Sequence, residues 1–235
     1  MTENPTVRTH EDIRHRFDEV MEQIRQGLVR MGSLVVENVE RAGTAMRERR
    51  LELIPVVMEA DQEINRLYSQ YESLVFETLA RQQPVAGDLR FLVAATRMLY
   101  ELERSGDLAV NCVKMLDRED GFPDSPKLLA TLDEMVRGAT KVFTMGVESL
   151  AEMSPDAGTR LDEADDEVDK LVSRFYTEIG QESERIGLNS AIALSRVGRF
   201  LERIADHAVN IGEHVTFIVT ASFADDTHVS IREED

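Results

Sequence analysis

The ten residues Leu102-Glu103-Arg104-Ser105-Gly106-Asp107-Leu108-Ala109-Val110-Asn111 return as Leu201-Glu202-Arg203-Ile204-Ala205-Asp206-His207-Ala208-Val209-Asn210, with seven of the ten positions identical and a constant offset of 99 residues. A chain that repeats itself at such a period is a duplicated unit, and both copies must take the same local structure. Within each copy Glu, Asp and Asn recur at i, i+4 and i+8: Glu103, Asp107 and Asn111, then Glu202, Asp206 and Asn210. Four residues of helix turn through about 400°, so each trio forms one slowly drifting stripe about 12 Å long.

A second pair of segments repeats as well. Glu59-Ala60-Asp61-Gln62-Glu63-Ile64-Asn65 matches Glu163-Ala164-Asp165-Asp166-Glu167-Val168-Asp169 at an offset of 104. Two halves of similar size follow. In 235 residues with 42% apolar side chains, each half has enough material for a core. With few prolines, no tryptophan and apolar residues at helical spacing, the chain is predicted to be all-α.

The apolar seams place six helices. Phe17, Met21, Ile24, Leu28, Met31, Val35, Asn38, Ala42 and Ala45 recur at alternating steps of four and three, beginning after a cap at Thr9 and Asp12 and ending at Arg47, Arg49 and Arg50. Pro55 suits the first turn of a second helix, which stops before Pro84. Gly87 and Asp88 open a third. Asp120-Gly121-Phe122-Pro123-Asp124 is the clearest break, after which Ser125-Pro126 caps a fourth helix. Ser154-Pro155 precedes a fifth, and Gly187, Asn189 and Ser190 mark the turn into a sixth. Heptad seams joined by short loops describe two tandem, pseudo-symmetric three-helix bundles of long helices. The first is predicted over residues 1–119 and the second over 120–221, with a short, frayed acidic tail at 222–235 (Asp225, Asp226, Glu233, Glu234, Asp235).

A net charge of −18 argues against wrapping nucleic acid, which needs clustered Lys and Arg. The lone Cys112 permits no internal disulfide and reads as a packed small residue. There is no signal-peptide pattern at Met1-Thr2-Glu3-Asn4-Pro5 and no apolar run near the ~18 residues needed to span a bilayer. A soluble cytoplasmic protein is expected.

Helices two and three should be antiparallel neighbours, so that Asp61 and Asn65 approach Glu103, Asp107 and Asn111 along one edge of the core. Helices five and six likewise bring Asp165 and Asp169 to Glu202, Asp206 and Asn210. Ordinary seam-flanking charges would alternate in sign across the pair to form interhelical salt bridges. These two sets contain no cation, and carboxylates converging beside a core repel unless a cation joins them. Oxygen-only donors favour hard cations such as Mg, Mn, Ca or high-spin iron. The second set holds four carboxylates, so on charge count it is expected to bind the tighter. His214 continues the second stripe and reads equally as a ligand or a surface histidine; His207 is expected at the surface. Arg104 and Arg203 are expected to pair with carboxylates of their own bundle. A ferritin-type di-metal protein would need Glu-x-x-His pairs on facing helices, and the chain has none. A helical scaffold whose acids are structural or salt-adaptive is the other alternative.

Gln83-Pro84-Val85-Ala86-Gly87-Asp88-Leu89-Arg90, then Leu102-Glu103-Arg104 with Asp107 and Asn111, then Leu201-Glu202-Arg203 with Asp206, His207 and Asn210, resembles the PhoU family over about residues 17–219. The resemblance implies two three-helix bundles, each with a surface site for a multinuclear cluster of divalent or trivalent metal (iron, manganese, magnesium or zinc). By position the ligands would be Asp61, Asn65, Glu103, Asp107 and Asn111, then Asp165, Asp169, Glu202, Asp206 and Asn210. The last stripe position is Asn in both copies, where the family commonly has Asp. A non-enzymatic role is also implied: restraint of phosphate-starvation signalling, by bridging the ATPase subunit of the phosphate ABC transporter and a membrane sensor histidine kinase. The family implies a homodimer that meets the membrane only through such partners.

Overall fold

A computed structural model describes residues 10–118 and 122–222, with side chains from residue 14 onward. The cap at Thr9 and Asp12, the break at Asp120-Gly121 and the acidic tail beyond Ser222 lie outside the described side chains. Six helices follow in order: α1 (His10–Glu48), α2 (Ile54–Gln82), α3 (Ala86–Arg118), α4 (Pro126–Glu152), α5 (Ala157–Ile186) and α6 (Leu188–Thr220). Among the described residues there is no strand, and a single 3-10 turn, Leu51–Leu53, separates α1 from α2.

The helix boundaries have local causes. Pro55 sits in the first turn of α2, where its missing N–H removes no helical bond. Ser125 caps α4, its Oγ accepting from the Leu128 N–H at 3.3 Å and donating to Glu182 at 2.6 Å. The turn between α5 and α6 is tighter than expected. It is the single residue Gly187, at φ +80°, and Asn189 and Ser190 already belong to α6.

Helices α1, α2 and α3 pack on one another, as do α4, α5 and α6; between the halves α1 lies on α4 and α3 on α6. The seam residues Ile24, Leu28, Met31, Val35, Ala42 and Ala45 are buried, and the buried residues of both halves form one contiguous cluster. Asn38, on the same seam, is fully buried and donates to the Val57 carbonyl at 3.1 Å, which ties α1 to the first turns of α2. On α1, Gly32 and Gly43 let α4 approach closely: a Cβ there would lie 2.5 Å from Val147 and 2.3 Å from Val136. Phe122, in the break between the halves, is fully buried and anchors the connection in the core. Phe91 and Phe200 also pack inward. Cys112 is buried, and burial pushes its thiol far up, as suits a packed side chain. Among the described residues no helix is long and apolar enough to cross a membrane.

Candidate metal centres

The short turn between α2 and α3 makes them antiparallel, so the acid of one helix falls opposite the acids of the other. Asp61 is 7% exposed and lies over Gly106 of α3; a Cβ at Gly106 would stand 2.6 Å from Asp61 Oδ1. Glycine at this point of α3 therefore makes room for the carboxylate of α2. Asp61 Oδ2 accepts from Asn65 Nδ2 at 3.0 Å, while Oδ1 is buried with no hydrogen-bond partner among the described residues. Burial, then the neighbouring charge of Asp107, pushes the Asp61 carboxyl up to about 6. Glu103 is raised by burial, then by Asp107 and, more weakly, Asp61. Asp107 receives Arg104 Nη1 at 3.0 Å.

The same arrangement recurs in the second half with more negative charge. Asp165 Oδ1 is buried and without a partner among the described residues. Burial, followed by Asp169, Asp206, Asp162 and Glu202, pushes the Asp165 carboxyl up to about 7. Asp169 is raised by burial and then Glu202, and Asp206 by burial and then Glu202, against the pull of Arg199. Glu202 is paired with Arg199 Nη1 at 2.5 Å. Asp162 and Asp166 add to this field from α5; the residues related to them in the first half are Met58 and Gln62, so the repeat of acids gave no signal for them.

In both halves the structure thus brings the predicted aspartates and glutamates into mutual electrostatic range. Asn111 and Asn210 stand at the expected places on α3 and α6, half-buried. Among the described residues no hydrogen bond joins either to the acids, and no three His, Cys, Asp or Glu side chains are gathered so as to hold a metal ion as they stand. What fits a hard cation is the donor set itself, all oxygen, with one buried orphan oxygen in each half, at Asp61 and at Asp165.

Three neighbouring residues differ from expectation. His207 is buried at the α3–α6 seam, not exposed, with its Nδ1 against Glu101 Oε2. The acid stripe of one helix gives no information about which side faces the other half, and that contact buries His207. His214 is buried at the same seam, where burial and Arg97 lower its affinity for a proton and Glu101 raises it. Arg104 pairs within its own half as expected, but the counterpart in the second half is Arg199, one turn earlier than Arg203.

The PhoU domain model matches the chain twice, over residues 28–116 and 132–215, and each match contains one full set of acids. The chain belongs to the PhoU family. A PhoU homolog of Synechocystis, named a phosphate-specific transport system accessory protein, is 33% identical over 88% of this chain and 92% of its own length. PhoU homolog 2 of Mycobacterium bovis is 30% identical over 90% of this chain and all of its own. The crystal structure of PhoU from Pseudomonas aeruginosa superposes with a TM-score of 0.81 at 27% identity, over 88% of this chain and all of that one. A Streptococcus pneumoniae PhoU structure, at 22% identity and a TM-score of 0.79, covers 89% of this chain and 99% of its own and shares the fold. The fold of PhoU, two pseudo-symmetric three-helix bundles, is thus the fold of this chain.

Proposed function

We propose that this protein is a non-enzymatic regulator of phosphate uptake and of phosphate-starvation signalling, a cytoplasmic adaptor that carries hard cations on its two acid stripes. The observation that carries the reading is the match to phosphate-specific transport accessory proteins along about nine-tenths of the chain. The partners implied by the family are the ATPase subunit of the phosphate ABC transporter and a membrane sensor histidine kinase, with the adaptor acting as a homodimer.

In this reading Asp61, Asn65, Glu103, Asp107 and Asn111 hold cations between α2 and α3, and Asp165, Asp169, Glu202, Asp206 and Asn210 hold them between α5 and α6. Bound iron, manganese, magnesium or zinc supplies positive charge to a field that otherwise opposes itself. The buried oxygens of Asp61 and Asp165 face the inner side of each site, since they are out of solvent and lack a partner among the described residues. Arg104 and Arg199 release Asp107 and Glu202 on loading; Arg199 is about half exposed, so its swing into water costs little. Crosslinking α2 to α3 and α5 to α6 stiffens each half and neutralises its edge, preparing those faces for docking.

A second reading is favoured by one observation, that the acids are not gathered around a common point among the described residues. In it the stripes are electrostatic surface, balanced by Arg104 and Arg199, and the protein is a scaffold. The two readings separate in cells. In a strain lacking this protein, a phosphate-starvation reporter should be active in high phosphate. Wild type should silence it and the Asp107→Ala/Asp206→Ala variant should not, while holding the same helical content. Silencing by both would support the scaffold, and silencing by neither would remove the phosphate role.

A further inference from the structure

The repeat allows the two ends of the α3–α6 seam to be compared position by position. The helices run antiparallel, since Glu101 meets His207 while Arg97, one turn earlier, acts on His214. Shifting by 99 residues carries Arg97 to Arg196 and His214 back to Met115. At that related place the surface opens into a notch of about 150 Å³, lined by Met115, Arg118, Asn189, Ile192, Ala193 and Arg196. Its floor is apolar: Met115 and Ala193 are buried, Ile192 is 47% exposed, and Leu188, one turn away, is 74% exposed. The position related to Arg118 is Phe217, so an aromatic ring stands at the far end of the seam where the notch has only a rim guanidinium.

The rim is as informative as the floor. In a chain of net charge −18, many described arginines are tied to carboxylates, among them Arg25, Arg41, Arg47 and Arg174. Arg118 and Arg196 are exposed and make no ion pair among the described residues. The acids that follow Arg118, Glu119 and Asp120, lie outside the described residues. The result is a solvent-open notch with an apolar floor and two guanidinium groups on its rim.

We propose that this notch is a docking site for a segment of a partner protein that carries an aromatic side chain flanked by Asp or Glu. The ring enters over Met115 and Ala193, and the flanking carboxylates take the guanidinium forks of Arg118 and Arg196, a geometry that arginine matches with two parallel hydrogen bonds. The choice of occupant rests on the two rim guanidinium groups, which match carboxylates locally; a second copy of this chain is the outcome that the dilution arm of the test below detects. The site is separate from the acid stripes, so it stands or falls independently of metal.

The test is a nuclear magnetic resonance titration of the full chain with a capped peptide, Asp-Glu-Phe-Glu-Asp. Shifts are expected at the methyl groups of Met115, Ile192 and Ala193, with a dissociation constant below about 1 mM. Replacing the peptide's Phe by Ala, or its acids by Asn and Gln, should weaken binding about tenfold or more, as should Arg118→Ala/Arg196→Ala in the protein. Both arginines are exposed, so circular dichroism of that variant should match wild type. Absence of shifts at those methyls, or equal binding of the altered peptides, overturns the proposal. So does movement of the same methyls on deleting residues 222–235 or on dilution, because the notch would then serve this chain's own end or a second copy.

Discussion

The two acid stripes share one design but not one charge. In the first half Asp61 has Asn65 as its neighbour on α2 and an amide N–H to satisfy one oxygen; Lys114 also draws its carboxyl down. In the second half the position of Asn65 is Asp169, and Asp162 adds a further negative charge from the same helix. The Asp165 carboxyl is accordingly held higher than that of Asp61, at about 7 against about 6. One Asn-for-Asp difference thus changes a partly compensated site into one whose own charges oppose each other. A site of the second kind has more to gain from a cation, and more to lose without one.

The seam between the halves offers the largest test of this asymmetry. Glu101 and His207 are 13% and 10% exposed at their side chains, while the positions related to them by the repeat are Phe200 and Leu108, both packed inward. His207→Leu alone strands a buried carboxylate and should cost about 3 to 5 kcal/mol in chemical denaturation. The double variant Glu101→Phe/His207→Leu copies the related pair and should recover most of that loss. If the double variant were no more stable than the single, the two ends of the seam would not be interchangeable.

A second effect follows from pH in chelated protein. An ordinary aspartate in the unfolded chain loses its proton near pH 3.9, whereas folded Asp61 and Asp165 keep theirs to about 6 and about 7. Between those values the folded state binds more protons, so stability falls as pH rises from about 4 to 7, by on the order of 2 to 4 kcal/mol for each residue. Asp165→Asn should raise metal-free stability at pH 8 and flatten the slope, and Asp61→Asn should do so less. Equal effects at the two positions would erase the distinction between the halves.

Gly106 gives a smaller effect. Its related residue is Ala205, which is buried without difficulty, yet a Cβ at Gly106 would press on Asp61 Oδ1. Gly106→Ala should leave stability within about 1 kcal/mol, because a carboxylate can turn aside. It should lower metal content in the first half while sparing the second. Smallest of all, Arg104→Ala and Arg199→Ala each remove a partly exposed ion pair. They should change stability by less than about 1 kcal/mol and raise metal affinity slightly by isothermal titration.

Most of the fold was legible because the duplication and the seams are local signals. Pro55, Ser125 and the apolar steps of α1 fixed helix ends and inward faces with no knowledge of the partner helix. The acids of each stripe were also legible, since helices joined by a short turn must lie side by side. What escaped the sequence belongs to the contact between halves. Nothing in the run around Asp206 tells that His207 meets Glu101, a residue 106 positions away, or that Phe122 in a Gly-Pro break is buried. Arg199 rather than Arg203 holds Glu202, a choice between two positions on one helix that spacing alone leaves open.

In the proposed reading both halves hold cations, and the second holds them more firmly. The direct measurement is metal per chain by elemental analysis of untagged protein purified without chelator, for wild type, Asp61→Asn and Asp165→Asn. More than one tightly held metal per chain is expected in wild type, with a larger loss from Asp165→Asn than from Asp61→Asn. No retained metal, with none regained on adding iron, manganese or magnesium, would contradict it and leave the stripes as charged surface on a helical scaffold.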